Sequence, residues 1–129
     1  MVTQGAKGRK RARKGRTRRD RRSPSRNVLR IMGAIKSHLE SLYGDGVRRV
    51  ILYGSQARGD ATTDSDVDVA IIISDDLDRR AVEQSLEDLL LDVLLEDGEL
   101  VSIVAMPESL FNGPASPFIL NVKDEGVIV

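Results

Sequence analysis

Two aspartates separated by one residue, Asp66 and Asp68, are well suited in type and spacing to hold a metal ion. They open an aliphatic run that ends at Ile73, and alternate side chains of a β-strand point to the same face of a sheet. Two carboxylates aimed at one place repel each other unless a cation lies between them. Oxygen ligands of this kind suit Mg²⁺, which is usually bound by one or two carboxylates together with substrate phosphates and water.

A glycine and a serine, Gly54 and Ser55, supply the phosphate side of such a site. They follow an apolar run that ends at Tyr53, and ten residues separate them from Asp66. Glycine permits a tight turn close to a ligand, and serine can cap a short helix whose first N–H groups attract an anion. Arg58 would add positive charge near phosphates or brace the loop against an aspartate. We therefore interpret the two ends as facing each other across a nucleoside triphosphate that carries Mg²⁺.

The elements around these residues predict an α/β fold, a small mixed sheet of three or four strands flanked by helices. Apolar residues at steps of three and four, from Val28 to Leu42, predict a first helix that Ser25 or Asn27 caps and Gly44 ends. His38 lies beside its polar face, where a solvated or structural role is expected. The further predicted elements are strands at 47–53, 66–73 and 99–106, and helices at 79–96, 107–111 and 117–125.

The net charge of zero hides two oppositely charged parts of the chain. Residues 1–26 contain twelve Lys or Arg and one acid, a net charge of +11, and the remainder carries −11. Residues 1–26 also contain almost no large apolar residue. This composition predicts a disordered basic extension at 1–26, followed by one folded domain at 27–129. The extension is open to several interpretations: a weak nucleic-acid or acidic-partner arm, a dispensable extension, or a segment that folds back on the acidic domain.

Three absences limit the class of protein. No segment approaches the roughly 20 apolar residues of a membrane helix, and no apolar run follows the basic start as in a signal peptide. The chain has no cysteine, which excludes disulfides and zinc–thiolate sites. Together these features favour a cytoplasmic location without membrane contact.

The residues that define the site carry a resemblance to a known family. Gly54-Ser55, ten residues and Asp66-x-Asp68 resemble the signature of the nucleotidyltransferase superfamily that includes DNA polymerase beta. The fuller form, GSxARGxxxxxSDxDxx, is similar to that of the minimal nucleotidyltransferases of prokaryotic MNT-HEPN toxin–antitoxin pairs. This resemblance, from Val28 to the C-terminus, implies a polymerase beta-like fold. In that fold Gly54 and Ser55 bind the triphosphate, Arg58 assists, and the two aspartates hold Mg²⁺ and serve catalysis.

The same resemblance implies a reaction and a partner. The reaction is the transfer of AMP from ATP, the substrate, to a tyrosine hydroxyl of a helical HEPN-type protein encoded nearby, within a hetero-oligomer. Active members have a third carboxylate on a neighbouring strand, and the corresponding position here is Ser102. Glu96, Asp97 or Glu99 could substitute for it. The alternative is a catalytically silent module of the same fold that neutralises its partner by binding, so the sequence leaves catalysis open.

Overall fold

A computed structural model describes residues 24–58 and 66–129, which form a four-stranded mixed sheet with helices on both faces. The strands are β1 (Val47–Tyr53), β2 (Val67–Ile73), β3 (Val101–Pro107) and β4 (Val127–Ile128). The helices are α1 (Arg26–Tyr43), α2 (Ser55–Arg58), α3 (Arg79–Gln84), α4 (Glu87–Asp97), α5 (Glu108–Asn112) and α6 (Pro117–Glu125). The predicted α/β class with a small mixed sheet is confirmed.

The strand order β3-β2-β1-β4 places β1 and β2 at the centre of the sheet. β1 is antiparallel to both of its neighbours, whereas β2 and β3 are parallel and are joined by the crossover through α3 and α4. Six of the seven β2 residues are buried, as the nearly continuous aliphatic run predicts for an interior strand. Because β1 and β2 are antiparallel, the end of the first lies beside the beginning of the second.

Each face of the sheet has its own apolar core. On one face, alternate residues of β1, β2 and β3 pack against α1, α3 and α4; they include Val50, Leu52, Val67, Val69, Ile71 and Ala105. On the other face the remaining alternate strand residues, which include Ile51, Ala70, Ile72 and Met106, pack against α5 and α6. The helices contribute Phe111, Ile119 and Val122 to this core. The second face is also the face of Asp68, because Asp68 and Ala70 are two residues apart on β2.

The first helix has the predicted ends. The Ser25 hydroxyl accepts a hydrogen bond from the Val28 N–H at 3.1 Å, and Gly44 ends the helix with a φ of 55°. The prediction that Leu42 joins the buried face is wrong, because this side chain is 54% exposed. Leu39 is the last buried residue of α1, and in the final turn it is Tyr43 that packs against the core.

The predicted helix at 79–96 is two helices, with a break at Ser85 and Leu86. The Ser85 carbonyl oxygen lies 2.8 Å from Nε2 of His38 on α1, so the histidine donates to it and supports the break. The Ser85 hydroxyl donates to the Val82 carbonyl at 2.7 Å, and the Leu86 N–H bonds three residues back instead of four. The break leaves Leu86 fully buried. His38 therefore has the structural role that was expected.

The C-terminal part follows the predicted order with two differences. The final helix spans Pro117–Glu125 as predicted, and the Ser116 hydroxyl caps it by accepting from the Ile119 N–H. Pro107 ends β3 and precedes α5, whereas the sequence placed it in the first turn of that helix. The apolar tail after Gly126 forms β4, the fourth strand, which pairs with Ile51 and Leu52 of β1.

Two predictions fall on parts of the chain outside the described residues. The basic extension at 1–26, with its nucleic-acid interpretation, lies almost wholly in residues 1–23, and the loop that Arg58 was expected to brace lies in residues 59–65. Both stay predictions. Within the described ranges, none of the helices has the length and apolar character needed to cross a membrane.

Candidate functional site

The end of β1 brings Gly54 against Asp68. Tyr53 pairs with Asp68 across the antiparallel strands, so Gly54 directly follows the residue opposite the aspartate. Gly54 has a φ of 76°, a left-handed conformation that glycine adopts without steric cost. A Cβ atom built on Gly54 would lie 2.6 Å from Oδ2 of Asp68. The carboxylate therefore occupies the space that any side chain at position 54 would need.

The charge of Asp66 acts on the carboxyl group of Asp68. Asp66 is exposed just before β2, and Asp68 is half-buried as the second residue of that strand. Burial raises the pKa of the Asp68 carboxyl, and the negative charge of Asp66 raises this pKa further. Both effects oppose two negative charges at this place, and a bound cation would relieve both. The donor set of two carboxylates fits a hard cation such as Mg²⁺ that also binds phosphate oxygens.

Ser102 lies beside Asp68 on β3, on the side of the aspartate opposite Tyr53. The parallel register pairs Asp68 with Ser102 of β3, so the two side chains share one face of the sheet and Ser102 is exposed there. The sequence had placed Ser102 where active relatives carry a third carboxylate, and the register puts this serine directly beside the aspartate. Across residues 24–58 and 66–129, no group of three or more His, Cys, Asp or Glu side chains is arranged to hold a metal ion.

The three acids considered as substitutes for Ser102 lie before β3 begins. Asp97 forms an ion pair with Arg30 of α1, with Oδ1 2.6 Å from Nη2. Glu96 is exposed at the end of α4, and Glu99 lies two residues before the first residue of β3. Since Asp97 already has a basic partner, it links α1 to α4 and does not complete the pair at Asp66 and Asp68.

The turn after β1 continues into the four-residue helix α2. The N–H groups of Ala57 and Arg58 both donate to the Gly54 carbonyl at 3.1 Å, and the side chains of Gln56 and Ala57 are buried. Ser55 is the first residue of this helix. Nη1 of Arg58 lies 3.1 Å from Oε1 of Glu125, the last residue of α6. Sequence reasoning missed Glu125, because nothing local relates two residues that lie 67 positions apart.

An aromatic pair borders the site on the α6 side. The rings of Tyr53 and Phe118 meet edge to face, with centroids 5.5 Å apart and planes at 87°. Burial raises the pKa of the Tyr53 hydroxyl, and the nearby charge of Asp68 raises it further, so the phenol stays neutral. The alternation of side chains along β1 could have predicted the position of Tyr53, since Tyr53 and Ile51 lie on the same face of the sheet. Phe118 is 40% exposed, so the aromatic pair lies at the surface of the domain.

A cavity of about 170 Å³ lies on the same face of the sheet, but it does not include the aspartates or Gly54. Its lining combines apolar side chains with the basic side chains of Arg49 and Lys123. The lining residues are Arg49, Ile51, Phe111, Asn112, Val122, Lys123, Gly126 and Ile128. The residues that the sequence predicted for the site therefore lie at the end of β1 and the beginning of β2, and not in this cavity.

Comparisons with known proteins point to one family. The family described as the nucleotidyltransferase domain matches residues 32–123, which include Gly54, Ser55 and both aspartates. MJ0604 of Methanocaldococcus jannaschii, provisionally named a protein adenylyltransferase, is 35% identical over 92 residues, 70% of this chain and 86% of the relative. MJ0141 of the same organism, with the same provisional name, is 40% identical over 48 residues, 37% of this chain and 48% of the relative.

A solved structure is also similar to this chain, with a lower sequence identity than the two relatives. It is a toxin–antitoxin crystal structure with AMP-PNP, with a TM-score of 0.49 and 18% sequence identity. The match covers 74% of this chain and 69% of the other.

Proposed function

Because the chain belongs to the nucleotidyltransferase domain family, we propose that it binds ATP with Mg²⁺ and transfers AMP to a hydroxyl group of a partner protein. One observation carries this proposal. Oδ2 of Asp68 lies 2.6 Å from the position that a Cβ of Gly54 would take, so a carboxylate of the kind that binds metal ions is in contact with a glycine turn of the kind that binds phosphates. An ordinary turn needs no acid at that position.

Asp66 and Asp68 are proposed to hold the Mg²⁺. The ion supplies positive charge that neutralises the triphosphate and the developing charge of the transition state. Gly54 and Ser55 are proposed to approach the phosphates through the backbone turn, and Arg58 is close enough in sequence to add charge there. The raised pKa of Asp68 supports a cation at this position, since the cation favours the ionised carboxylate that burial and Asp66 oppose.

Nucleotidyl transfer joins the acceptor oxygen to the α-phosphorus of ATP and breaks the bond to the β-phosphate. Pyrophosphate leaves and the acceptor hydroxyl loses its proton. The provisional name of MJ0604 favours a protein as the acceptor. The GSxARG and SDxD residues of this chain further favour a helical HEPN-type protein encoded nearby, with which the chain would form a hetero-oligomer.

A second candidate function rests on Ser102. This serine lies beside Asp68 in the register, where it supplies no charge for a metal or for proton transfer. A protein with that substitution can keep the nucleotide turn and still lack catalysis. In this case the chain would neutralise its partner by covering it, and nucleotide binding would only stabilise the complex.

One experiment tests both candidates. The chain is incubated with ATP labelled at the α-phosphate, Mg²⁺ and the protein encoded by the neighbouring gene, and label on the partner is measured. The variants are Asp66→Ala with Asp68→Ala, and the control is Asp92→Ala, an exposed acid on α4. The transfer function predicts label with wild type and with Asp92→Ala, and loss of label with the double variant.

The outcomes separate the two functions. Equal label with the double variant would contradict the transfer function. Absence of label, together with a complex that survives Asp68→Ala, would establish the covering function. A complex that forms only when Asp68 is present would exclude the covering function in its simple form.

A further inference from the structure

An ion pair beside the Gly-Ser turn suggests a control on nucleotide binding. Arg58 ends α2, and its Nη1 lies 3.1 Å from Oε1 of Glu125 at the end of α6. We propose that Glu125 is a positioning residue that holds Arg58 in the nucleotide-free protein and competes with the triphosphate for it. This inference rests on the proposed binding of MgATP. It adds a residue from the C-terminal part of the chain, outside the Gly-Ser and Asp-x-Asp motifs.

The packing of the C-terminal segment fixes the position of the Glu125 backbone. The N–H of Gly126 donates to the Val122 carbonyl at 2.9 Å, and the next residue, Val127, pairs with Leu52 of β1. A Cβ built on Gly126 would lie only 2.4 Å from Cγ2 of Ile51, so the chain presses directly on the strand. The Glu125 backbone is therefore held in place if Arg58 moves toward a ligand, and only the Glu125 side chain could adjust.

The other end of α6 is also held against β1. Phe118 meets the ring of Tyr53, the residue directly before Gly54. The helix thus contacts the site strand through an aromatic pair at its start and contacts α2 through an ion pair at its end. The distance between Glu125 and the Gly-Ser turn is consequently set by the packing of one helix on one strand.

The ion pair between Arg58 and Glu125 is weak enough for a triphosphate to replace Glu125 as the partner of Arg58. The Arg58 side chain is 45% exposed and the Glu125 side chain 29% exposed, and ion pairs this open to water are worth little. A triphosphate offers the guanidinium more charge than one carboxylate and can accept two parallel hydrogen bonds. Nucleotide binding then draws Arg58 away from Glu125, and loss of the competing carboxylate should strengthen binding.

The test measures the dissociation constant of MgATP by calorimetry for wild type, Glu125→Gln and Asp124→Asn. Asp124 is the preceding residue of α6, is exposed, and loses the same charge in its variant. We expect Glu125→Gln to bind MgATP about two- to fivefold more tightly. This change in the dissociation constant corresponds to the free energy of an exposed ion pair. Asp124→Asn should change the affinity much less. In an Arg58→Gln background, Glu125→Gln should have no further effect.

The direction of the change separates competition from a purely structural role. If Glu125 only stabilises the fold, its variant should bind MgATP equally or more weakly and melt at a lower temperature, and this result would overturn the inference alone. An equal gain for Asp124→Asn would reduce the effect to net charge and also overturn it. If wild type binds no MgATP at all, the proposed function fails and the inference fails with it.

Discussion

Substitution of Gly54 by alanine tests the meeting of the turn with Asp68 directly. Two costs are expected. The φ of 76° is left-handed and costs an alanine about 1–2 kcal/mol of unfolding free energy. The new methyl group would also lie 2.6 Å from Oδ2 and 3.4 Å from Cγ of Asp68, so the carboxylate must move. The aspartate side chain is short and partly exposed, hence its displacement adds little to the loss of stability but moves the proposed metal ligand from its place.

Gly98 offers a matched control. It ends α4 with a φ of 70°, and a Cβ built on it has no atom within 4 Å. Gly98→Ala therefore carries the backbone strain of Gly54→Ala without the contact with the aspartate. For a domain of this size each kcal/mol lowers the melting temperature by about 4–8 °C, so both variants should melt several degrees below wild type without ligand.

The two variants should differ once ligand is added. MgATP at a hundredfold excess over its dissociation constant stabilises a protein by about 2.7 kcal/mol, which melting curves resolve easily. Wild type and Gly98→Ala should both gain this stabilisation, whereas Gly54→Ala should lose most of it. If Gly54→Ala shows the full shift with MgATP, Asp68 is not part of the nucleotide and metal site, and the reasoning from the close approach is wrong.

Three other substitutions give distinct results. Asp68→Asn should raise the melting temperature of the metal-free protein at neutral pH, and the gain should vanish as the pH falls. The reason is that the pKa of Asp68 is raised in the fold, so its stabilising protonated form is lost as the pH rises through that value; a lower melting temperature at pH 7 would contradict this. Ser102→Asp should add a carboxylate beside Asp68, tightening Mg²⁺ in titrations and lowering stability without it, and unchanged Mg²⁺ affinity would show that position 102 does not face the ion. Phe118→Ala should destabilise the protein by about 1 kcal/mol or more in denaturant unfolding, since it removes the edge contact with Tyr53; no change would mean that α6 is held elsewhere.

The elements whose signals are local could be predicted from the sequence. The spacing of apolar residues from Val28 to Leu39, the Ser25 cap and Gly44 are all features of neighbouring residues, and α1 has the predicted ends. The alternation after Asp66 likewise separated the two faces of β2. These features follow from the helical and strand periods, which do not depend on the rest of the fold.

Features that depend on contacts between distant residues could not be predicted. The break at Ser85 involves the His38 side chain, 47 positions away, and the pattern around Leu86 continues through it without interruption. The partner of Arg58 was expected among nearby aspartates or phosphates, but the described ion pair joins it to Glu125. The pairing of the tail with Ile51 and Leu52 also needed the sheet order.

The short length of β4 affects how this protein behaves beside other molecules. β4 pairs with Ile51 and Leu52, and the Val129 N–H donates to the Val50 carbonyl at 3.0 Å. Among residues 24–58 and 66–129 no strand pairs with the beginning of β1 on this side, so Val47 to Arg49 form an open margin of the sheet. This margin carries Arg48 and Arg49, both exposed, and the register slips between Val47 and Arg49. Positive charge and an irregular backbone both discourage a strand of another chain from adding there. The beginning of β1 is therefore protected against edge-to-edge aggregation by its own charges and irregular pairing, and the end of the same strand leads into the Gly-Ser turn.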